Sequence, residues 1–395
     1  MKIISLDIEG FRSMKQVHWK PTNLNVIIGP NGAGKSNLLR FLELMTISAQ
    51  GTLGKYIQSL GGMAPLVWDG QATRLACQLK MVPFDQENGA QDTLLTYDLV
   101  LARLGQSSAY RIEQEGLTKY EGLEKGPETE AVTVLKRTHH EAMIFDDKEK
   151  TLKTLEEAFS EEESLLSIAA TPFFANRFMT HCQRQLISGS IYHDVPVDRL
   201  APLRQPVVTR AERRVDPDGQ NLISVLHTLY TEDRDFRYEL DAAMRAAFGK
   251  EFDSLMFPPA ADQRTQLRVI WKSLQRGQST AELSDGTLRF LFLLTVLAAP
   301  APFTAIDEPE LGLHPSMLPI IAEYAVSAAE QAQIVLTTHS PQLLDAFTDI
   351  QPSITVALCE QGETQLKNLS GEALAYWLEN YSLGRLFHSG ELEDL

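Results

Sequence analysis

The sequence predicts an α/β fold with an antiparallel β-lobe and a mainly helical insertion. Short apolar runs that lead directly into glycine-rich or acidic turns occur near both ends of the chain, as is typical of buried parallel strands. Strand-length segments separated by turn-rich stretches such as "PFDQENG" and "EKGPE" occupy residues 73–137, which indicates an antiparallel meander. From Asp146 onward, apolar residues recur at helical spacing among many charged ones.

The chain has 395 residues and 44% apolar content, enough for a large core and for two or three lobes. From Ala281 the pattern becomes α/β again, so the insertion separates two parts of one α/β arrangement. We therefore expect an N-terminal lobe over residues 1–145, the insertion over residues 146–215 and a C-terminal lobe over residues 216–395.

Individual elements follow from local patterns. Alternating or β-branched runs predict strands at Thr73–Met81, Thr93–Leu101, Ala109–Gln114, Ala131–Arg137 and in "QLRVIWKSL". Helical periodicity predicts helices at Ser36–Ile47 and in "KEKTLKTLEEAFSEEESLL", "TPFFANRFMTHCQRQLI", "NLISVLHTLY" and "RDFRYELDAAMRAAF". The apolar run Phe290–Ala305, interrupted by Pro300 and Pro302, predicts a buried helix followed by a buried strand.

The stretch "GPNGAGKSN" follows the apolar run Leu24–Ile28 and precedes a helical run, which is the context of a phosphate-binding loop. Its glycines let successive N–H groups point into one hollow, and the helix N-terminus adds positive potential. We expect Lys35 to reach the β- and γ-phosphates of a bound nucleotide, and Ser36 to ligate Mg²⁺. The alternative is a glycine-rich turn that binds nothing. The predicted cradle comprises Gly29, Pro30, Asn31, Gly32, Ala33, Gly34, Lys35, Ser36 and Asn37.

Two further strand ends carry polar residues that suit phosphoryl chemistry. In "APFTAIDEPELGLHP", Asp307 would hold Mg²⁺ through its water shell and Glu308 would polarise the attacking water. In "QIVLTTHSPQLLD", His339 follows another buried strand and could sense or hold the γ-phosphate. The alternatives are an acidic surface loop for the carboxylates and a structural role for the histidine.

The segment Ser284-Asp285-Gly286-Thr287 lies at the start of an apolar helix in "AELSDGTLRFLFLLTVLAA". Free N–H groups at a helix start, beside a serine and a glycine, can bind phosphate. Taken alone, however, the segment indicates only a helix cap with Ser284 or Asp285 at the N-cap position.

In this order, "GPNGAGKSN", "LSDGT", "IDEPELGLHP" and "TTHSPQLLD" resemble the ATPase heads of the ABC superfamily. The chain is most similar to the RecF, SMC and OLD (overcoming lysogenization defect) branch, and within it to the stand-alone OLD-like AAA-type ATPases. The resemblance covers roughly residues 1–80 and 200–395. It implies an ABC-type head that hydrolyses ATP, with ATP and Mg²⁺ as cofactors.

The resemblance also assigns residues to roles. It implies that Arg12 and Ser13 of "GFRS" lie near the bound phosphates, and that Lys35, Glu308 and His339 are catalytic, His339 as the switch histidine. It implies that Ser284, Asp285 and Gly286, here named the signature segment, touch ATP bound by the opposite subunit. Glu310 and Gly312 would lie in a loop that faces that subunit. The chain departs from transporter heads in reading "SDGT" rather than "SGGQ", and neither Gln58 nor Gln71 can be assigned to a Gln loop.

The resemblance implies a nucleotide-sandwich homodimer or higher homo-oligomer, acting as a motor or sensor in nucleic-acid handling. It suggests anti-phage defence or DNA repair, with a separate nuclease-like effector and DNA or a phage protein as trigger. Only 87 residues follow Glu308 (395 minus 308), so we expect the chain alone not to cut nucleic acid. Two alternatives are a slow-turnover, ATP-gated clamp and a transporter ATPase. The long insertion and "SDGT" argue against the transporter.

Charge and cysteine usage limit the partners and the compartment. A formal net charge of −16 argues against a protein that coats nucleic acid all over, but allows a local basic groove. The cluster "RQPVVTRAERR" is either a solvated loop or a contact to a phosphate backbone. We expect "THHE" and "HDVPVD" to be surface loops rather than metal sites. The separated Cys77, Cys182 and Cys359, and an N-terminus unlike a signal peptide, predict reduced core thiols in a cytoplasmic protein without a membrane segment.

Overall fold

The structure, a computed structural model, describes residues 2–82, 93–105, 108–121, 131–147, 149–155, 159–169, 176–347, 352–369 and 382–390. The strands are β1 Lys2–Phe11, β2 Met14–Trp19, β3 Leu24–Ile28, β4 Arg74–Val82, β5 Thr93–Arg103, β6 Tyr110–Glu121, β7 Ala131–Thr138, β8 Ala142–Asp146, β9 Thr151–Thr154, β10 Ser190–Tyr192, β11 Phe252–Met256, β12 Arg268–Trp271, β13 Gln278–Ser279, β14 Phe303–Asp307, β15 Gln333–Thr337, β16 Ser353–Glu360 and β17 Glu363–Leu369.

The α-helices are α1 Lys35–Gln50, α2 Leu53–Ser59, α3 Arg177–Ile187, α4 Leu222–Glu232, α5 Arg234–Phe248, α6 Asp285–Ala298, α7 Leu318–Gln331, α8 Pro341–Asp345 and α9 Leu383–Ser389. Short 3-10 turns occur at Trp68–Gly70, Leu165–Ile168, Pro202–Arg204, Gly249–Glu251, Ala261–Gln263 and Pro315–Met317. The chain forms two compact units. The first unit comprises Met1–Gly189 and Ser353–Ser370, and the second comprises Ser190–Pro352 and Gly371–Leu395.

The first unit contains an eight-stranded antiparallel sheet in the order β2-β1-β4-β5-β6-β7-β8-β9. Its central strands alternate buried and less buried residues, so one face packs against the core. The predicted meander is confirmed, although β6 extends well beyond the expected Ala109–Gln114. In the same unit β3 pairs with β16 in parallel, and β16 pairs with β17 as an antiparallel hairpin.

Residues 146–215 contain less helix than the sequence predicted. Strand β9 occupies Thr151–Thr154 and extends the antiparallel sheet, and within the described part of this stretch α3 is the one α-helix. The glutamate-rich run is held by specific contacts instead. The Glu163 carboxylate accepts the N–H groups of Leu53 and Gly54. The Ser160 and Glu163 carbonyls accept hydrogen bonds from the buried Arg137 guanidinium. These long-range contacts override the local preference of glutamate for helix.

The second unit contains three parallel strands in the order β10-β14-β15, which leave their carboxyl ends at one edge. Strand β14 pairs Asp307 with Thr337 of β15, while β10 ends at Tyr192 opposite Ile306. The largely buried α6 precedes β14, as the sequence predicted, and α7 connects β14 to β15. A separate antiparallel sheet has the order β11-β12-β13.

The predictions about the cysteines and about membrane segments can be compared with the structure. Cys77 and Cys182 are buried as predicted, whereas Cys359 is exposed at the end of β16, so the expectation of a core thiol is wrong there. Burial raises the pKa of the Cys77 thiol to about 12. Within the described ranges, no helix has both the length and the apolar character needed to cross a bilayer.

Candidate nucleotide site

The phosphate loop lies in the first unit between the fully buried strand β3 and helix α1. Gly29, Gly32 and Gly34 adopt φ values of +144°, +83° and +99°, which side chains of L-residues rarely adopt. A Cβ atom on Gly29 would lie 2.2 Å from the Ala357 carbonyl oxygen of β16, whereas one on Gly32 would meet no atom within 4 Å. Glycine therefore lets the loop form without backbone strain at these positions, and Gly29 also lets the loop pass close to β16.

Lys35 is the first residue of α1 and is only 5% exposed. Its ammonium donates to the Gly29 carbonyl at 2.7 Å and to the Pro30 carbonyl at 3.2 Å. The charge is thus held inside the curve of its own loop. This position suits contact with an anion bound by the N–H groups of the loop and of the α1 N-terminus.

A network of hydroxyl and amide groups supports the phosphate loop. The Asn37 amide donates to Ser13 Oγ at 2.8 Å, and Ser13 Oγ lies 2.7 Å from Thr364 Oγ1. Thr364 Oγ1 in turn donates to the Ala33 carbonyl at 3.0 Å. The structure therefore brings the predicted residues Ser13, Asn37 and Ala33 together. Thr364, on β17 far along the chain, was missed because no local motif marks it.

Arg12 adopts φ +46° and lies beside the same network. Its Nη1 atom lies 3.5 Å from Asn37 Oδ1. Its Nε atom is buried and has no hydrogen-bond partner among the described residues. Burial, and then the nearby Arg40, lower the pKa of Arg12. A strained, poorly satisfied cation beside the loop fits the expectation that Arg12 meets bound phosphate.

In the second unit, the predicted carboxylates lie at the carboxyl ends of the parallel strands. Asp307 ends β14, and the Thr337 hydroxyl donates a short hydrogen bond to its Oδ1 atom. The backbone N–H of Glu308 donates to the Thr337 carbonyl at 3.1 Å, and Glu308 adopts φ +46°. The left-handed backbone at a non-glycine residue is a strained geometry of the kind found at functional sites.

Glu308 and His339, which the sequence analysis assigned to separate roles, are in direct contact. His339 Nδ1 lies 3.0 Å from Glu308 Oε1, and both side chains are partly exposed. Glu310 lies deeper, where its Oε1 atom accepts from the Thr338 hydroxyl at 2.5 Å and from the His339 N–H at 3.3 Å. Burial raises the pKa of Glu310. Glu310 thus fixes the backbone of His339, a role that the sequence did not reveal.

His193 is a further residue that sequence reasoning missed. It follows β10, the neighbour of β14, and its Nδ1 atom lies 3.7 Å from Asp307 Oδ2. The expectation that "HDVPVD" is merely a surface loop is therefore wrong for His193, whose side chain is 24% exposed. Only the parallel pairing of β10 with β14 brings His193 to this edge, and a three-residue strand gives little sequence signal.

The signature segment lies at the start of α6, in the second unit. Ser284 is the N-cap residue, and its Oγ atom accepts from the Thr287 N–H at 3.2 Å. A Cβ atom on Gly286 would lie 2.6 Å from the Gly312 carbonyl, so glycine lets the segment pack against the loop after β14. Ser284 and Asp285 are exposed. The helix-cap interpretation is confirmed.

The oxygen donors fit Mg²⁺ rather than a transition metal. Within the described residues, no group of three or more His, Cys, Asp and Glu side chains could hold a metal ion by itself. Mg²⁺ prefers one or two protein oxygen ligands together with phosphate and water. The Ser36 hydroxyl in the first unit and the Asp307 carboxylate in the second unit are each an oxygen ligand of this kind.

The sequence matches two families of ATPases. Residues 145–345, just over half of the chain, match the family described as "AAA domain, putative AbiEii toxin, Type IV TA system". The chain belongs to this AAA family. Residues 1–54 additionally match "AAA ATPase domain". The family makes the chain an ATPase, and the matches together support the resemblance to ABC-superfamily ATPase heads that the motifs implied.

One curated relative is the phosphonates import ATP-binding protein PhnC 2 of Roseobacter denitrificans, 26% identical over 226 residues, or 54% of this chain and 68% of that protein. Among solved structures, an SMC head bound to the C-terminal winged-helix domain of ScpA has a TM-score of 0.56 at 14% identity, covering 95% of this chain and all of that chain. An SMC head from Pyrococcus furiosus, bound to the C-terminal domain of ScpA, has a TM-score of 0.50 at 13% identity over 95% and 98% of the chains. At these identities the structures show the fold alone.

Proposed function

We propose that this chain hydrolyses ATP by activating a water molecule with Glu308, and that His339 monitors the γ-phosphate. The observation that carries the proposal is the 3.0 Å contact between His339 Nδ1 and Glu308 Oε1 at the strand ends. In this arrangement the histidine orients the carboxylate, so that the carboxylate can accept a proton from water.

The other predicted site residues take roles that follow from the chemistry of their side chains. The phosphate loop cradles the phosphates with its N–H groups, and Lys35 neutralises the developing charge. Ser36 and Asp307 would hold Mg²⁺, which would draw charge from the β- and γ-phosphate oxygens when bound. The Thr337 hydroxyl fixes the orientation of Asp307.

We further propose that two copies of the chain close around ATP, so that the signature segment of one copy contacts the nucleotide of the other. The exposure of Ser284 and Asp285 at the α6 N-terminus supports this arrangement. Helix N-termini attract phosphate, and Ser284 already points its hydroxyl at the first turn.

Mixing two inactive variants tests the shared site. Ser284→Arg should bind ATP without hydrolysing it, since a bulky side chain would prevent closure. Lys35→Ala should lose ATP binding because a charge-assisted contact is removed, at a cost on the order of 2–3 kcal/mol. A mixed dimer would retain one intact site, so the mixture should recover part of the wild-type rate. The absence of recovery, with exchange of subunits demonstrated, would contradict the shared site.

We also propose that ATP turnover drives a conformational change that a separate effector protein reads, in anti-phage defence or another nucleic-acid process. The family's description as a toxin of a type IV toxin–antitoxin system supports a defence role. The solved SMC head with a bound ScpA domain supports an ATPase head that works through a protein partner. DNA or a phage protein would be the trigger that accelerates hydrolysis.

Purified protein incubated with ATP, Mg²⁺ or Mn²⁺ and both linear and supercoiled DNA tests the need for an effector. The expected result is no cleavage by the chain alone. Cleavage that survives stringent purification and disappears in a point variant of this chain would contradict the proposal.

A further inference from the structure

We propose that Arg204 is a positioning residue for the signature segment, and that the reaction depends on it although it belongs to none of the recognised motifs. The inference rests on the proposed contact of the signature segment with the nucleotide of a second copy. The observation behind it is a buried guanidinium whose hydrogen bonds converge on the backbone and side chain around Ser284.

Arg204 lies in the short turn Pro202–Arg204 and is only 5% exposed, unlike the neighbouring arginines of its basic cluster. Its Nη1 atom donates to the carbonyls of Thr280 at 2.6 Å and Leu283 at 2.8 Å. Its Nη2 atom donates to Asp285 Oδ1 at 2.5 Å. Leu283 and Asp285 flank Ser284, so the guanidinium forms hydrogen bonds with the residues on both sides of Ser284.

The other side of the guanidinium faces its own turn. The Nε atom donates to the carbonyls of Val197 and Asp198 at 2.8 and 3.0 Å. In return, the Thr280 hydroxyl donates to the Arg204 carbonyl at 2.6 Å. The guanidinium therefore joins two stretches of backbone that are about 80 residues apart in the chain, as the separations of 76 and 79 residues to Thr280 and Leu283 show.

This arrangement contradicts both sequence-based interpretations of the basic cluster for this residue. Arg204 is neither solvated nor free to contact a nucleic-acid backbone, because its donors are occupied by the protein. A buried charge is costly unless several acceptors compensate it, and the planar fork of arginine can serve acceptors on two sides at once. A lysine at the same position has one compact ammonium and could not span both stretches.

The exposure of the Asp285 carboxylate indicates whether its bond to Arg204 serves the stability of the fold or the reaction. The Asp285 side chain is 68% exposed, so its bond to Arg204 contributes little to the buried core. That bond instead fixes the first residue of α6, at the N-terminus of the helix. We therefore expect loss of this geometry to slow hydrolysis while leaving ATP binding by the phosphate loop of the same chain intact.

Arg204→Lys and Asp285→Asn test the inference. Arg213→Lys is a matched control from the same cluster, because Arg213 is exposed and pairs with the exposed Glu232. The expected result for both test variants is a fall in kcat of roughly 10- to 100-fold, with the Kd for ATP within about two-fold of wild type. Arg213→Lys should behave as wild type. Asp285→Asn keeps the inference testable if Arg204→Lys does not fold, because its side chain is exposed.

Mixing Arg204→Lys with a second variant gives a result that a misfolded Arg204→Lys protein could not produce. Arg204→Lys mixed with Lys35→Ala should recover activity, because the intact phosphate loop of the first variant meets the intact signature segment of the second. Full kcat in both Arg204→Lys and Asp285→Asn would overturn the inference. So would failure of this mixture to recover when Ser284→Arg with Lys35→Ala does recover. If that reference mixture itself fails, the shared site is wrong rather than the role of Arg204.

Discussion

At the scale of single residues, some polar groups at the strand ends of the second unit are marked by the local sequence, whereas others are marked only by their contacts. The placement of Asp307, Glu308 and His339 at strand ends could be predicted because each lies at or just after the end of a recognisable buried strand. Thr337, Glu310 and His193 could not be predicted, since their importance comes from contacts across neighbouring strands. A threonine at the end of an apolar strand carries no distinguishing signal until its partner is known.

Thr337→Val should raise the Mg²⁺ concentration needed for half-maximal ATP hydrolysis by about 10-fold, because Asp307 loses the hydroxyl that orients its carboxylate. Valine keeps the shape of threonine, so the fully buried strand should still pack. Thr337→Ser retains the hydroxyl and is the matched control. A Mg²⁺ titration in which Thr337→Val and Thr337→Ser coincide would show that this hydrogen bond does not serve the metal.

At the scale of elements, strand–turn–helix patterns with strong local signals were predictable. Strand β3, the phosphate loop and α1 followed from an apolar run, a spaced pair of glycines and a helical run. Strand β9 was not predictable, because the charged run that contains it favours helix locally. Its pairing with β8, together with the capping contacts of Glu163, is decided by residues that lie elsewhere in the chain.

Gly29→Ala should destabilise the first unit by about 2 to 4 kcal/mol, since its Cβ atom would collide with the Ala357 carbonyl of β16. Gly32→Ala is the matched control, because that glycine also has positive φ but faces open space. Its cost should be limited to backbone strain of about 1 kcal/mol. Denaturant unfolding of the two variants measures the difference, and equal losses of stability would show that the close approach to β16 is unimportant.

At the scale of the whole molecule, the predicted domains and the two compact units divide the chain at different residues. The predicted boundaries followed changes in local pattern, at residues 145 and 215. The observed units divide the chain at Gly189 and return β16 and β17 to the first unit. This return places Thr364 behind the phosphate loop. Contacts between residues more than 300 positions apart leave no local pattern in one sequence.

The central claim is that ATP closes two copies of the chain and that Glu308 then drives hydrolysis. Glu308→Gln keeps the shape of the side chain but loses its basicity, so this variant should bind ATP and hydrolyse it very slowly. It should therefore accumulate in the closed state, while wild type passes through that state during each turnover.

Light scattering of Glu308→Gln after size exclusion, with and without ATP and Mg²⁺, is the most direct measurement. We predict that ATP doubles the mass of the species, and that adding Lys35→Ala to the same chain abolishes the doubling. A mass that ATP leaves unchanged, together with hydrolysis at the wild-type rate, would contradict both parts of the claim.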